Sequence, residues 1–179
     1  AFIPIYTDYQ KSNNLDQTRD FLNAIAGTLL IFLFVFTILV LIFAPVFILI
    51  FAPGFYFDPI KQNISIDVLR IMFPYLALIS LVAFAGGIQN THQKFSVPAF
   101  TPVIFNLCLI VSAIFIAPMY DMPIYVLAWG VLLAGILQLL IQISPLVSIN
   151  RLPVPKLDIK NPGLRKFFRL ILPAILAGG

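Results

Sequence analysis

FLNAIAGTLLIFLFVFTILVLIFAPVFILIFAPGFYF, residues 21–57, runs for 37 positions without an Asp, Glu, Lys, Arg or His. A helix rises about 1.5 Å per residue, so roughly 20 apolar residues cross a hydrocarbon core about 30 Å thick. This window therefore belongs in a bilayer. Three more uncharged windows follow, residues 71–91, 95–120 and 122–150, with 21, 26 and 29 positions. The chain of 179 residues is 61% hydrophobic and only 10% charged, where a soluble domain carries about 25% charged residues. That composition excludes a disordered chain, a secreted disulfide scaffold and a soluble enzyme. Cys108 is the only cysteine and permits neither an internal disulfide nor a thiolate metal cluster. The expected fold class is all-α, a polytopic membrane helical bundle.

Four complete spans are expected, over residues 23–50, 70–90, 98–118 and 123–147. The first window is longer than one crossing needs, so its helix tilts and ends early or the window folds back. Pro45 and Pro53 favour the early end. Phe51-Ala-Pro-Gly-Phe55 reads as a terminus whose aromatics Phe55, Tyr56 and Phe57 lie at headgroup level. The chain starts at Ala1 with no basic n-region, which is no signal peptide. The apolar run 170–179 is too short to span. We expect partial helices at both ends, one finishing near residues 1–6 and one beginning near Gly163, so that 1–179 is a single membrane fragment of a larger protein.

Cations set the orientation. Connectors 8–20, 91–96 and 150–169 hold nine of the 11 Lys and Arg, and the alternate connectors hold only Lys61 and Arg70. The positive-inside rule places the three rich connectors in the cytoplasm, in register with four crossings. These cations lie in short connectors and not on an aromatic-interleaved face, so nucleic acid is not an expected partner. Leu164-Arg-Lys-Phe-Phe-Arg-Leu170 interleaves cations with apolar residues at helical spacing. It reads as an amphipathic helix start in an anionic interface, or as a solvated anchor.

Polar side chains inside a bilayer are costly and face protein or water, which makes them the candidates for a substrate path. Asn90, Asn106, Gln138 and Gln142 are selected on that ground, and Arg70, at the outer end of its span, joins them, with an interfacial snorkelling role as its alternative. Gly86, Gly87, Gln89, Thr101 and Ser112 accompany them. Gly135, Gln138 and Gln142 share one helical stripe, suited to a helix contact or a hydrophilic wall. Ala83 with Gly87, and Gly130 with Ala134, are small-xxx-small pairs for close helix approach. Prolines 74, 98, 102 and 123 mark kinks or breaks. No catalytic constellation is found. The chain has one His and no Glu, and Asp58, Asp67 and Asp121 stand singly in connectors. His92 fits a polar interfacial turn. No enzymatic activity, metal site or cofactor is expected.

Leu69-Arg-Ile-Met-Phe-Pro-Tyr75, Leu78-Ile-Ser80, Ala85-Gly86, Asn90-Thr91 and Phe95-Ser-Val-Pro-Ala-Phe-Thr-Pro102 followed by Asn106 resemble the MurJ (MviN) family of lipid II flippases. Ala1-Phe-Ile-Pro4, Ala52-Pro-Gly-Phe55, Leu127-Ala-Trp-Gly130 with Gly135 and Gln138, and Pro173-Ala-Ile-Leu176 resemble that family in the same order. The resemblance covers essentially the whole chain.

It implies a bacterial inner-membrane protein of the multidrug/oligosaccharidyl-lipid/polysaccharide (MOP) exporter superfamily, with fourteen helices in two lobes. This chain would run from the tail of helix 2 to the start of helix 7, in the N-terminal lobe. The function implied is movement of lipid II, an undecaprenyl-pyrophosphate-linked precursor, from the cytoplasmic to the periplasmic leaflet by alternating access. Lipid II and membrane lipids are the implied partners. The family's cavity arginines and acidic residue would lie outside this chain. Another lipid-linked glycan exporter of that superfamily, or a non-transporting scaffold, is the alternative.

Overall fold

A computed structural model describes residues 2–11, 14–158 and 160–177, with no description of the side chains of residues 56 and 171–177. Eight α-helices follow in order among the described residues: α1 (Phe2–Lys11), α2 (Leu15–Ile42), α3 (Ala44–Phe51), α4 (Pro59–Met72), α5 (Pro74–Thr91), α6 (Ser96–Val111), α7 (Pro123–Ser148) and α8 (Pro162–Ala177). A 3-10 turn over Pro53–Phe57 follows α3. A π-helical turn at Ser112–Ile116 and a 3-10 turn at Ala117–Met119 prolong α6.

Four helical stretches are long and apolar enough to cross a membrane: Leu15–Ile42, Pro59–Thr91, Ser96–Met119 and Pro123–Ser148. They coincide in number and order with the expected spans, and their ends differ for local reasons. Helix α2 starts eight residues before residue 23, because Asn14 caps it by accepting from the Gln17 N–H at 3.1 Å. The connector 58–70 is itself helical, since α4 runs from Pro59 to Met72. Asp58 caps α4 by accepting from the Ile60 and Lys61 N–H groups, and Pro59 occupies the first helical position, where its missing N–H costs nothing. At the N-terminal end, α1 continues past Tyr6 to Lys11.

Several prolines act at helix boundaries, whereas Pro102 and Pro145 lie inside α6 and α7. Pro74 and Pro123 open α5 and α7, and Pro45 sits in the first turn of α3, just after the break at Phe43 that ends α2. Within the long first window, α2 is the one helix among the described residues that is long enough to cross. Its Asn23 end touches the 150–161 connector, while Leu41 at its other end receives the Arg70 guanidinium.

Helix α7 is the hub, packed along α5 and α6 and carrying α4 on its N-terminal end. A core of Tyr6, Phe21, Ile25, Ile88, Leu146 and Leu164 fastens α1, α2, α5, α7 and α8 together at one end of the bundle. Large apolar side chains such as Phe34, Ile50 and Leu140 lie exposed on the outside, as lipid-facing surfaces require. Residues 152–157 strap across α2, with the Lys156 N–H donating to the Asn23 carbonyl at 3.0 Å and the Val154 N–H to Asn23 Oδ1 at 2.8 Å. The strap lies so close to Gly27 that any Cβ there would collide with the Lys156 backbone.

Candidate functional site

Polar side chains of α5, α6 and α7 converge within the bundle. Along α5, Tyr75, Ile79, Ala83, Gly86 and Asn90 recur every three or four residues and form one stripe. Pro98, Thr101, Pro102 and Phe105 do the same on α6. With Gln138 and Gln142 of α7 and Ile3 of α1 they enclose a cavity of about 490 Å³. Its small residues make the room, since Gly86 faces Pro98 at ordinary van der Waals distance. All of these lining residues are uncharged.

Four buried side chains form a hydrogen-bonded chain at one end of this cavity. Gln138 Nε2 donates to the Thr101 carbonyl at 2.9 Å. Gln142 Nε2 donates to the Thr101 hydroxyl at 3.3 Å, and that hydroxyl donates to the Val97 carbonyl at 3.1 Å. Gln89 Nε2 donates to Gln142 Oε1 and more weakly to the Gln142 carbonyl. Gln89, Gln138 and Gln142 are each at most 2% exposed. Their amides bridge three helices, which suits an interior where water offers no alternative partner. Two acceptors stay unsatisfied among the described residues, Gln89 Oε1 and Gln138 Oε1.

The five candidate residues separate. Asn90, Gln138 and Gln142 line the cavity, Asn90 as an exposed side chain near the end of α5. Asn106 is exposed and lies off the lining stripe of α6. Arg70 is exposed and donates through Nε to the Leu41 carbonyl at 3.3 Å, so it neutralises the C-terminal end of α2. Gln89 is the amide that the sequence reading passed over for Asn90. Helical phase carries the missing signal, because Gln89 continues the small and buried face of Val82, Ala85 and Gly86, one position round from Asn90.

The stripe on α7 is divided between a helix contact and the cavity lining. Gly135 abuts Tyr75 and Leu78 of α5, while Gln138 and Gln142 form the polar wall. Gly130 lets Ser112 of the π-helical turn approach closely, and Ala134 is fully buried. The Ala83 and Gly87 pair makes no such backbone contact, since Ala83 faces the cavity and Gly87 meets the Phe2 ring.

A second polar cluster lies at the cationic end. Gln10 Nε2 donates to His92 Nε2 at 2.9 Å, which requires that ring nitrogen to be unprotonated, so the Tyr6 hydroxyl at 3.0 Å is a donor too. Burial, and then the charge of Arg151, hold the imidazole below its usual range. At the opposite end the Tyr125 hydroxyl donates to Asp67 Oδ2 at 3.3 Å, and Asp58 pairs with Lys61 at 3.0 Å. Among the described residues no three His, Cys, Asp or Glu side chains assemble into a metal-binding group.

Contacts therefore gather connectors 8–20, 91–96 and 150–169 at one end of the bundle. Tyr6 and Gln10 meet His92, Asp8 pairs with Lys166 at 3.2 Å, and the strap lies on α2. That end carries nine Lys and Arg against four Asp, and the other end two against three.

Similarity to known proteins runs the length of the chain. The family model described as lipid II flippase MurJ matches residues 1–179. A probable lipid II flippase MurJ of Buchnera aphidicola subsp. Acyrthosiphon pisum is 40% identical over 176 residues, covering 98% of this chain and 34% of that protein. The lipid II flippase MurJ of Burkholderia cenocepacia is 33% identical over 181 residues, 99% of this chain and 35% of its own length. A probable lipid II flippase MurJ of Haemophilus influenzae is 35% identical over 182 residues, 98% and 36% respectively. The chain spans about a third of the length of the curated relatives it matches.

Proposed function

This chain belongs to the MurJ family of lipid II flippases, and from that membership we propose that it is the helix 2 to helix 7 portion of a fourteen-helix transporter of the bacterial inner membrane. The parent protein carries lipid II from the cytoplasmic to the periplasmic leaflet by rocking two lobes, without making or breaking bonds. The observation that carries this reading is the family match over every residue of the chain. Four membrane-length helices and the clustering of cationic connectors at one end support the orientation that such transport needs.

The division of labour follows from the chemistry of the cavity. A pyrophosphate is bound best by Arg or Lys with desolvated, often bidentate reach. The cavity between α5, α6 and α7 offers amides and a hydroxyl only. We therefore assign pyrophosphate binding to other parts of the parent protein, and to this portion an uncharged polar wall and a tightly fastened cytoplasmic end.

Expression of the intact parent gene in cells depleted of their own lipid II flippase tests the assignment. Restored growth together with restored outer-leaflet lipid II is expected. A well-expressed parent that restores neither overturns it in favour of a related glycolipid exporter or a scaffold.

A further inference from the structure

We propose that the amide end of the cavity between α5, α6 and α7 is a seat for an uncharged hydrogen-bond donor, a water or a sugar hydroxyl, held by the side-chain oxygen of Gln138, with Gln89 behind it in the same hydrogen-bonded chain. The argument is one of supply and demand among buried polar atoms. Every amide N–H₂ in the cluster is engaged, with the Gln138 donor on the Thr101 carbonyl, the Gln142 donor on its hydroxyl and the Gln89 donor on Gln142. Exchanging the oxygen and nitrogen of Gln138 would set two acceptors against each other at Thr101, so the assignment is fixed by its neighbour. What remains at the cavity wall is the free acceptor of Gln138.

Gln89 Oε1 and Gln138 Oε1 are both without a partner among the described residues, on side chains that are 0% and 2% exposed. The backbone of α6 adds to these, because Pro102 has no N–H to return to the Pro98 carbonyl, and both prolines line the same cavity. An unsatisfied buried acceptor is costly in a bilayer, and the cavity that Gln138 lines, with room for several waters, is where a donor can relieve it. The seat requires no charge and favours none, since the lining residues are uncharged. Water and the hydroxyls of a carbohydrate share the needed chemistry, whereas an alkyl chain lacks it. This inference stands apart from the identity of the transported lipid.

The test uses the intact parent protein in lipid nanodiscs, with native cysteines replaced, including Cys108→Ala. Single cysteines are placed at Ala83, an exposed residue on the cavity lining, and at Leu107, an exposed outward position on α6. Their rates of reaction with a charged, membrane-impermeant methanethiosulfonate are compared. Ala83→Cys is expected to react on the order of tenfold faster, the lower range of what one unsatisfied buried acceptor is worth. Adding Gln89→Leu and Gln138→Leu is expected to bring its rate down to that of Leu107→Cys.

Equal rates at the two cysteines in protein with both amides intact overturn the proposal, and this comparison decides even where the double variant does not assemble. Fast labelling that the double substitution leaves unchanged also overturns it, because the water would then owe nothing to the amides. Protection of Ala83→Cys by added lipid II assigns the donor to sugar hydroxyls. An unchanged rate assigns it to water, and either result upholds the seat.

Discussion

Gln142 both gives and receives within the cluster, taking the Gln89 amide and donating to Thr101. Replacing it alone with Leu leaves the Gln89 N–H₂ only its weak bond to the carbonyl of residue 142, and a fully unpartnered buried donor sets the upper bound of the cost at about 1–3 kcal/mol. Replacing Gln89 and Gln142 together removes both partners. The double variant of the intact protein is thus expected to melt closer to the wild type than Gln142→Leu does, and a double-mutant cycle of thermal midpoints reads this coupling directly. His92 sets a second, pH-dependent term. Its folded-state pKa is lowered, so the neutral ring contributes its full stability above the ordinary imidazole value of about 6.5 and loses it as the pH falls below that value. The thermal midpoint of the intact protein is expected to drop on acidification from about pH 7.5 to about pH 5, with a shallower drop in His92→Gln. A wild-type slope no steeper than the variant's removes His92 from the account.

Helices α5 and α7 end in the same way, and only one of them has the residue the ending favours. Lys94 N–H donates to the Gln89 carbonyl and Gln93 N–H to the Asn90 carbonyl; Arg151 and Asn150 repeat the pattern on Leu146 and Val147. This is the Schellman motif, which requires a left-handed residue just beyond the helix. Asn150 takes φ 55° and Gln93 takes φ 58°. Asn tolerates that region, whereas Gln bears a cost of about 1–2 kcal/mol that Gly does not. Gln93→Gly is therefore expected to raise the melting temperature of the intact protein, and Gln93→Ala to leave it unimproved. The same turn fixes the last residues of α5, where Gln89 enters the amide cluster.

The molecule is polarised end to end, with fastening contacts and cations at one end and capped, acid-bearing turns at the other. Helix α6 joins the two ends, which makes its flanks a direct measure of orientation. Lys94→Cys is expected to react with an impermeant thiol reagent only from the cytoplasmic side, and Asp121→Cys only from the periplasmic side, in otherwise cysteine-free parent protein. Labelling of both from one side would break the four-crossing topology. The strap over α2 belongs to this scale as well, because it closes the cation-rich end between elements more than 120 residues apart in sequence.

Membrane residence and the number of membrane-length helices were determined by the sequence alone, because charge is too costly within a hydrocarbon core to be placed there casually, and its distribution is readable in one dimension. The Asp58-Pro59 start of α4 was legible too, although the charges that follow masked it. Which amide faces inward was not. Gln89 and Asn90 are neighbours in the chain, and the bundle buries one and exposes the other according to a helical phase fixed by packing against α6 and α7. The contact of Gly27 with the strap, the bond between Arg70 and Leu41 and the pair of unpartnered amide oxygens join residues dozens of positions apart or lying on different helices. Only the tertiary structure decided them, since they follow from how helices settle against one another and not from what any single helix prefers.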